Sequence, residues 1–135
     1  MSDFLSQMFT FFEVSNLRAV GMHHHGPLSL VVGKLYSLVW EPYNPQDLGN
    51  AMAVTDEMGL TRAYLTRSDA KVVSTLCYGD AVDGNISCLP VTETHVELHN
   101  LGPQHECIIK FKAKNGEEEF VKEILQINNC VFNCS

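Results

Sequence analysis

The sequence holds no run of about 18 apolar residues, which excludes a membrane-crossing helix. Its dense apolar stretches, such as Leu28–Val32, are strand-sized. The start, MSDFLSQMFTFFEVSN, is apolar but carries no basic residue, which argues against a secretory signal. There is no C-x-x-C pair, no G-x-S-x-G, no H-E-x-x-H and no Gly-rich phosphate loop. The usual signatures of zinc ribbons, acyl-transfer enzymes, metalloproteases and nucleotide hydrolases are therefore missing, and the chain reads as a non-enzyme without a cofactor. Positive charge is also scarce. Nine Lys and Arg face sixteen Asp and Glu, a net charge of −7, the reverse of a non-specific nucleic-acid binder.

That acidity is uneven. Arg18–Lys71 carries five basic and five acidic residues and is neutral, whereas Val72–Ser135 carries four basic and nine acidic ones. The neutral stretch also contains the most distinctive residues. In composition the chain is 45% hydrophobic and 19% charged over 135 residues, which suits one folded domain. Its five cysteines are widely spaced except for Cys130 and Cys134, and they read as reduced thiols. Three adjacent histidines, His23, His24 and His25, could begin a metal site with His95, His99 or His105. The spacing is unspecific, and no metal is expected.

Residues 1–14 form an aromatic arm, with Phe4, Met8 and Phe11 or Phe12 at helical spacing. It is expected to pack on its own domain or on a second copy, giving a homodimer. Leu17–Met22 reads as a first strand, and Leu30–Glu41 as a long strand with a bulge or corner at Gly33. The prolines of Pro42-Tyr43-Asn44-Pro45 predict a rigid loop. Asn50–Thr55 and Leu60–Leu65 read as a hairpin about the Asp56–Gly59 turn. Thr66 or Ser68 caps a helix through Cys77. Strands are expected at Asn85–Val91, Thr94–Leu98 and His105–Lys112, the last with Cys107, Ile109 and Phe111 on one face. A final helix from Glu117 to about Ile127 would bury Phe120, Ile124 and Ile127. The fold class is thus mainly β with two helices, a small OB-like barrel. The expected division is an arm over 1–14, a barrel over 15–113 and a helical tail over 114–135.

Within the barrel, Glu41-Pro42-Tyr43-Asn44-Pro45-Gln46-Asp47, then Asn50-Ala51-Met52-Ala53-Val54, then Ala63-Tyr64-Leu65-Thr66-Arg67 and a helix resemble the HIRAN domain family. The strands around Ile86–Cys88 and Glu106–Phe111 look like those of HIRAN segments in transposon-derived animal proteins. The resemblance covers roughly residues 15–113 and implies a HIRAN-type barrel that binds single-stranded DNA and captures its free 3′ end. By that resemblance Asn44 and Asp47 shape the pocket of the terminal nucleotide. Asp47 would accept a hydrogen bond from the 3′ hydroxyl, Arg67 would contact phosphate, and Tyr64 would stack on a base or donate a hydrogen bond. The chain departs from the family in carrying His23 and His24 where the DNA-end binder has an Arg-aromatic pair, and Gln46 in place of an aromatic. Leu48-Gly49 also lengthens the loop by one residue.

On physical grounds a single-strand groove needs aromatic faces and cations. Trp40, Tyr43, Tyr64 and His24 can supply faces; Arg62, Arg67 and Lys71 can supply charge. Trp40 and Tyr64 also suit ordinary barrel packing, and Arg67 and Lys71, four apart on one helix, suit a solvated surface. The expected partner is single-stranded DNA and the expected location intracellular, in the nucleus. The rival reading is a barrel repurposed to bind a protein, with the acidic tail and the apolar arm as its contact surfaces.

Overall fold

The computed structural model describes residues 9–21, 30–92, 95–96 and 103–135. In chain order the elements are β1 (Thr10–Val20), β2 (Tyr36–Glu41), β3 (Ala51–Thr55), β4 (Thr61–Leu65), α1 (Arg67–Tyr78), β5 (Val82–Pro90), β6 (His95–Val96), β7 (Pro103–Ala113), α2 (Glu118–Ile127) and β8 (Val131–Cys134). All pairings are antiparallel. Six strands close in the order β7-β5-β2-β3-β4-β1 and back to β7, while β6 and β8 flank β7 and β1. This is the expected mainly β barrel with two helices. Among the described residues, no helix is long and apolar enough to cross a membrane.

The barrel interior follows the two-residue period of its strands. Phe12, Val14, Leu17 and Ala19 of β1 point inward, as do Cys107, Ile109 and Phe111 of β7. All five residues of β3 are buried, because α1 covers the outer face that a barrel strand would otherwise show to water. The apolar-on-both-faces pattern of Asn50–Thr55 was the sign of this double burial.

Four local expectations change. The first strand does not start at Leu17 but at Thr10, so residues 10–14, assigned to the arm, are barrel strand; residues 1–8 lie outside the described residues. Helical spacing among the phenylalanines competed with an alternation that Phe12 and Val14 obey and that breaks at the bulge between Val14 and Leu17. Asn16 sits there at φ 64°, and β1 changes neighbour from β8 to β4 across it. Second, Leu30–Glu41 is not one strand. Lys34 N–H closes a turn on Val31 C=O at 3.1 Å, and β2 begins only at Tyr36. Gly33 lies in that turn at φ 84°, a conformation that glycine adopts without steric cost. Third, the stripe of α2 is set one residue later, on Val121 and Leu125; Phe120 and Ile124 are half-buried and Ile127 is exposed. Fourth, β8 adds a strand where only a tail was expected.

The cysteines are all free, and Cys88 and Cys107 are fully buried. Burial pushes the Cys77 thiol up to about 11, which keeps it protonated and unreactive.

The two helices meet where α1 ends. A Cβ at Gly79 would lie 2.9 Å from Phe120 Cε2 and 3.0 Å from Phe120 Cζ. Gly79 has φ −76°, so alanine suits its backbone and only the ring opposes it. Gly79→Ala should cost about 1–3 kcal/mol in urea unfolding by overpacking, and Phe120→Leu should relieve it in the double variant. Equal stability of wild type and Gly79→Ala would show that the ring moves freely.

Candidate nucleic-acid interface

The loop between β2 and β3 is built from nested turns. Asn44 N–H bonds to Glu41 C=O at 3.1 Å, Asp47 N–H to Asn44 C=O at 3.2 Å, and Gly49 N–H to Pro42 C=O at 2.8 Å. The Asn44 side-chain oxygen accepts the Gln46 N–H at 2.9 Å, the Asx-turn arrangement expected of asparagine in such a loop. The prolines fix φ at two of the remaining positions, so the loop has little freedom left to lose when it binds.

The start of α1 is tied to the same place. Thr66, one of the two expected caps, accepts Asp69 N–H on its hydroxyl at 3.4 Å. Thr66 N–H bonds to Arg18 C=O at 3.0 Å, and Arg18 N–H returns to the Asp69 carboxylate at 2.9 Å. The end of β1, the end of β4 and the first turn of α1 are thereby locked together. Arg67 then reaches back across the loop and donates from Nη2 to Gln46 C=O at 3.0 Å.

Between these elements lies a cavity of about 590 Å³, lined on the loop and helix side by Asn44, Gln46, Asp47, Tyr64, Thr66 and Arg67. Val20, Gly21, Ala51 and Leu65 form its apolar wall. Four of the residues nominated from sequence, Asn44, Asp47, Tyr64 and Arg67, therefore converge. Trp40, Tyr43, Arg62 and Lys71 are not among its described lining residues. Trp40 is half-buried against the core, and its indole N–H donates to Gly49 C=O at 2.9 Å, so it braces the loop from behind. Tyr43 stands on the loop crest, 90% exposed. Lys71 is exposed one turn farther along α1. Arg62 points elsewhere and pairs with Asp56 at 2.8 Å. His23 and His24 lie outside the described residues.

Glu41 is a residue that the sequence reading quoted in its motif but did not nominate. Its Oε1 accepts the Tyr64 hydroxyl at 2.9 Å and the Asn44 amide at 3.0 Å. The signal for it was its position three residues before Asn44 at a strand end. Burial first, and then the Glu41 carboxylate, raise the Tyr64 hydroxyl above the usual tyrosine pKa. Tyr64 therefore stays protonated. Among the described residues the Asp47 carboxylate makes no hydrogen bond or ion pair, so its acceptor capacity is open to a ligand. The described lining thus offers one cation, one carboxylate, an aromatic ring and an apolar wall. That set can hold a ligand carrying an anionic group, a hydroxyl and a flat ring.

His105, weighed as one of three histidines that could complete a metal site, is engaged within the fold. Leu30 N–H donates to its Nε2 at 3.1 Å, and its Nδ1–H therefore donates to Thr92 C=O at 2.6 Å. Both ring nitrogens are occupied. Among the described residues no group of three or more His, Cys, Asp or Glu side chains is placed to hold a metal ion.

No protein-family model matches the chain, and no curated protein matches it. Solved structures do. The crystal structure of the HIRAN domain of human HLTF is similar over 90% of this chain and 94% of that one, with a TM-score of 0.68 at 15% identity. The NMR structure of the HLTF HIRAN domain in its DNA-bound conformation is similar over 85% of this chain and 92% of that one, with a TM-score of 0.58 at 17% identity. The likeness covers nine-tenths of the chain rather than one motif, and on it the chain has the fold of the HIRAN domain.

Proposed function

We propose that this chain is a non-catalytic nucleic-acid-binding module that holds single-stranded DNA and seats its free 3′ end in the cavity beside α1. One observation carries the reading. Asn44, Asp47, Tyr64 and Arg67 come from a loop, a strand and a helix, and they meet on one cavity in a fold whose solved neighbour was determined in a DNA-bound conformation. In this reading Arg67 contacts a phosphate, Tyr64 faces the terminal base, and Asp47 accepts a hydrogen bond from the proton of the 3′ hydroxyl. A strand that continues, or ends in a blocked group, lacks that proton. Such a role would place the protein with the genome, inside the nucleus.

A second reading is favoured by charge. Among the described residues the lining carries a single cation, and the chain as a whole is at −7. A protein partner with an apolar side chain and a nearby charge would suit the same cavity.

The deciding measurement is a titration with labelled single strands bearing a free or a blocked 3′ end. The free end should bind more tightly. Arg67→Ala should weaken both, because it removes a phosphate contact that carries no information about the terminus. Asp47→Ala should erase the preference, a change of about five- to hundredfold in the ratio. Low salt is the most permissive condition, because phosphate contacts weaken as salt rises. No binding of either strand there would leave the protein-partner reading.

A further inference from the structure

Glu41 serves two site residues through one oxygen atom. The Tyr64 hydroxyl and the Asn44 amide both donate to Oε1, and the Asn44 amide also reaches the Tyr64 oxygen at 3.4 Å, which closes a triangle. Among the described residues its Oε2 has no hydrogen-bond partner. Glu41 ends β2 and pairs there with Ala51, so its carboxylate is held by barrel strand rather than by loop. The Tyr64 proton is therefore already committed. What Tyr64 can offer a ligand is its ring, and a hydrogen bond from its hydroxyl to phosphate is excluded while Glu41 holds it.

The arrangement has an electrostatic cost. A carboxylate beside a cavity with one cation among its described residues repels a phosphate, and Asp47 adds a second negative charge. An uncharged acceptor would meet the same two donors, so hydrogen bonding alone does not call for an acid here.

We propose that Glu41 is the positioning residue of the cavity. It fixes Tyr64 as a stacking face and Asn44 as the brace of the loop, and its negative charge holds down the affinity for nucleic acid. This rests on the nucleic-acid reading above. Because both donors end on one oxygen, Glu41→Gln keeps both bonds and removes the charge. Glu41→Ala removes the charge and the bonds together, so the half-buried hydroxyl and amide lose the acceptor they share.

The test uses the whole chain and a labelled single strand with a free 3′ hydroxyl. Glu41→Gln should bind about three- to tenfold more tightly than wild type, the size of one charge near a phosphate at a protein surface. Glu41→Ala should bind about fivefold or more weakly than Glu41→Gln, since the ordered ring and loop are lost. A second readout needs no DNA. The titration midpoint of Tyr64, followed by NMR of its ring, should fall in Glu41→Gln, because an amide accepts the hydroxyl proton less strongly and does not repel the phenolate. If wild type binds no strand, the nucleic-acid reading fails and the affinity-lowering role fails with it, while an unshifted Tyr64 midpoint would overturn the positioning role on its own. If wild type binds but Glu41→Gln binds no more tightly, the proposal is overturned and the nucleic-acid reading stands.

Discussion

Phe12→Ala will remove about 3–5 kcal/mol of stability, a large share of the roughly 5–15 kcal/mol typical of a domain. Phe12 is 1% exposed. Its ring stacks on Phe111 with centroids 5.4 Å apart and packs tilted on Phe132 at 6.1 Å. It therefore joins β1, β7 and β8, the strands that close the barrel and extend it past closure. Alanine would leave a cavity that three paired strands cannot collapse into. Urea unfolding should show a lower midpoint with an unchanged slope. Phe11→Ala is the control: it is the next residue on the same strand, its side chain is 54% exposed, and it should cost far less. Equal losses at the two positions would mean that the strand does not alternate as described.

His105→Ala should cost about 2–5 kcal/mol, from two unpaired backbone groups and the space left by the ring. His105 is 1% exposed and is held at both ring nitrogens. It fastens Leu30 on one side and Thr92 on the other, so one side chain pins the chain ahead of β2 and the chain after β5 to the start of β7. His105→Phe separates the terms. It refills most of the volume but accepts and donates nothing, so it should recover the packing and leave the hydrogen-bond loss. Amide exchange at Leu30 should accelerate in both variants. A phenylalanine variant as stable as wild type would show that the two backbone groups find other partners.

Some of this could be read from the residues directly. Alternation over His105–Lys112 put Cys107, Ile109 and Phe111 on one face, and all three are buried. The doubly apolar Ala51–Thr55 announced a strand covered on both sides, and the Asp56–Gly59 turn announced its hairpin with β4. The cap at Thr66 and the rigid loop with its two prolines also followed from local chemistry. Where two periods fitted the same residues, local pattern failed. The phenylalanines of the N-terminal segment satisfied helical spacing, and only pairing with β7 and β8 made Phe12 core and Phe11 surface. The same holds for α2, whose polar and apolar residues admit two stripes one residue apart. Contact with α1 and the barrel chose Val121 and Leu125.

The candidate site divides along the same line. The sequence by itself determined its chemistry through the motif that resembles the HIRAN family's, in which Asn44, Asp47, Tyr64 and Arg67 are an amide, a carboxylate, an aromatic and a cation. It also determined the loop that carries two of them, since proline and asparagine act on the backbone within a few residues. Only the tertiary structure decided that Trp40 and Lys71 stand apart from the cavity and that Glu41 stands behind it. The Tyr64 hydroxyl meets the Glu41 carboxylate across 23 residues of chain, and Arg67 meets Gln46 across 21. Contacts over such separations are set by which strands become neighbours when the barrel closes, and no pattern along the chain encodes that distance.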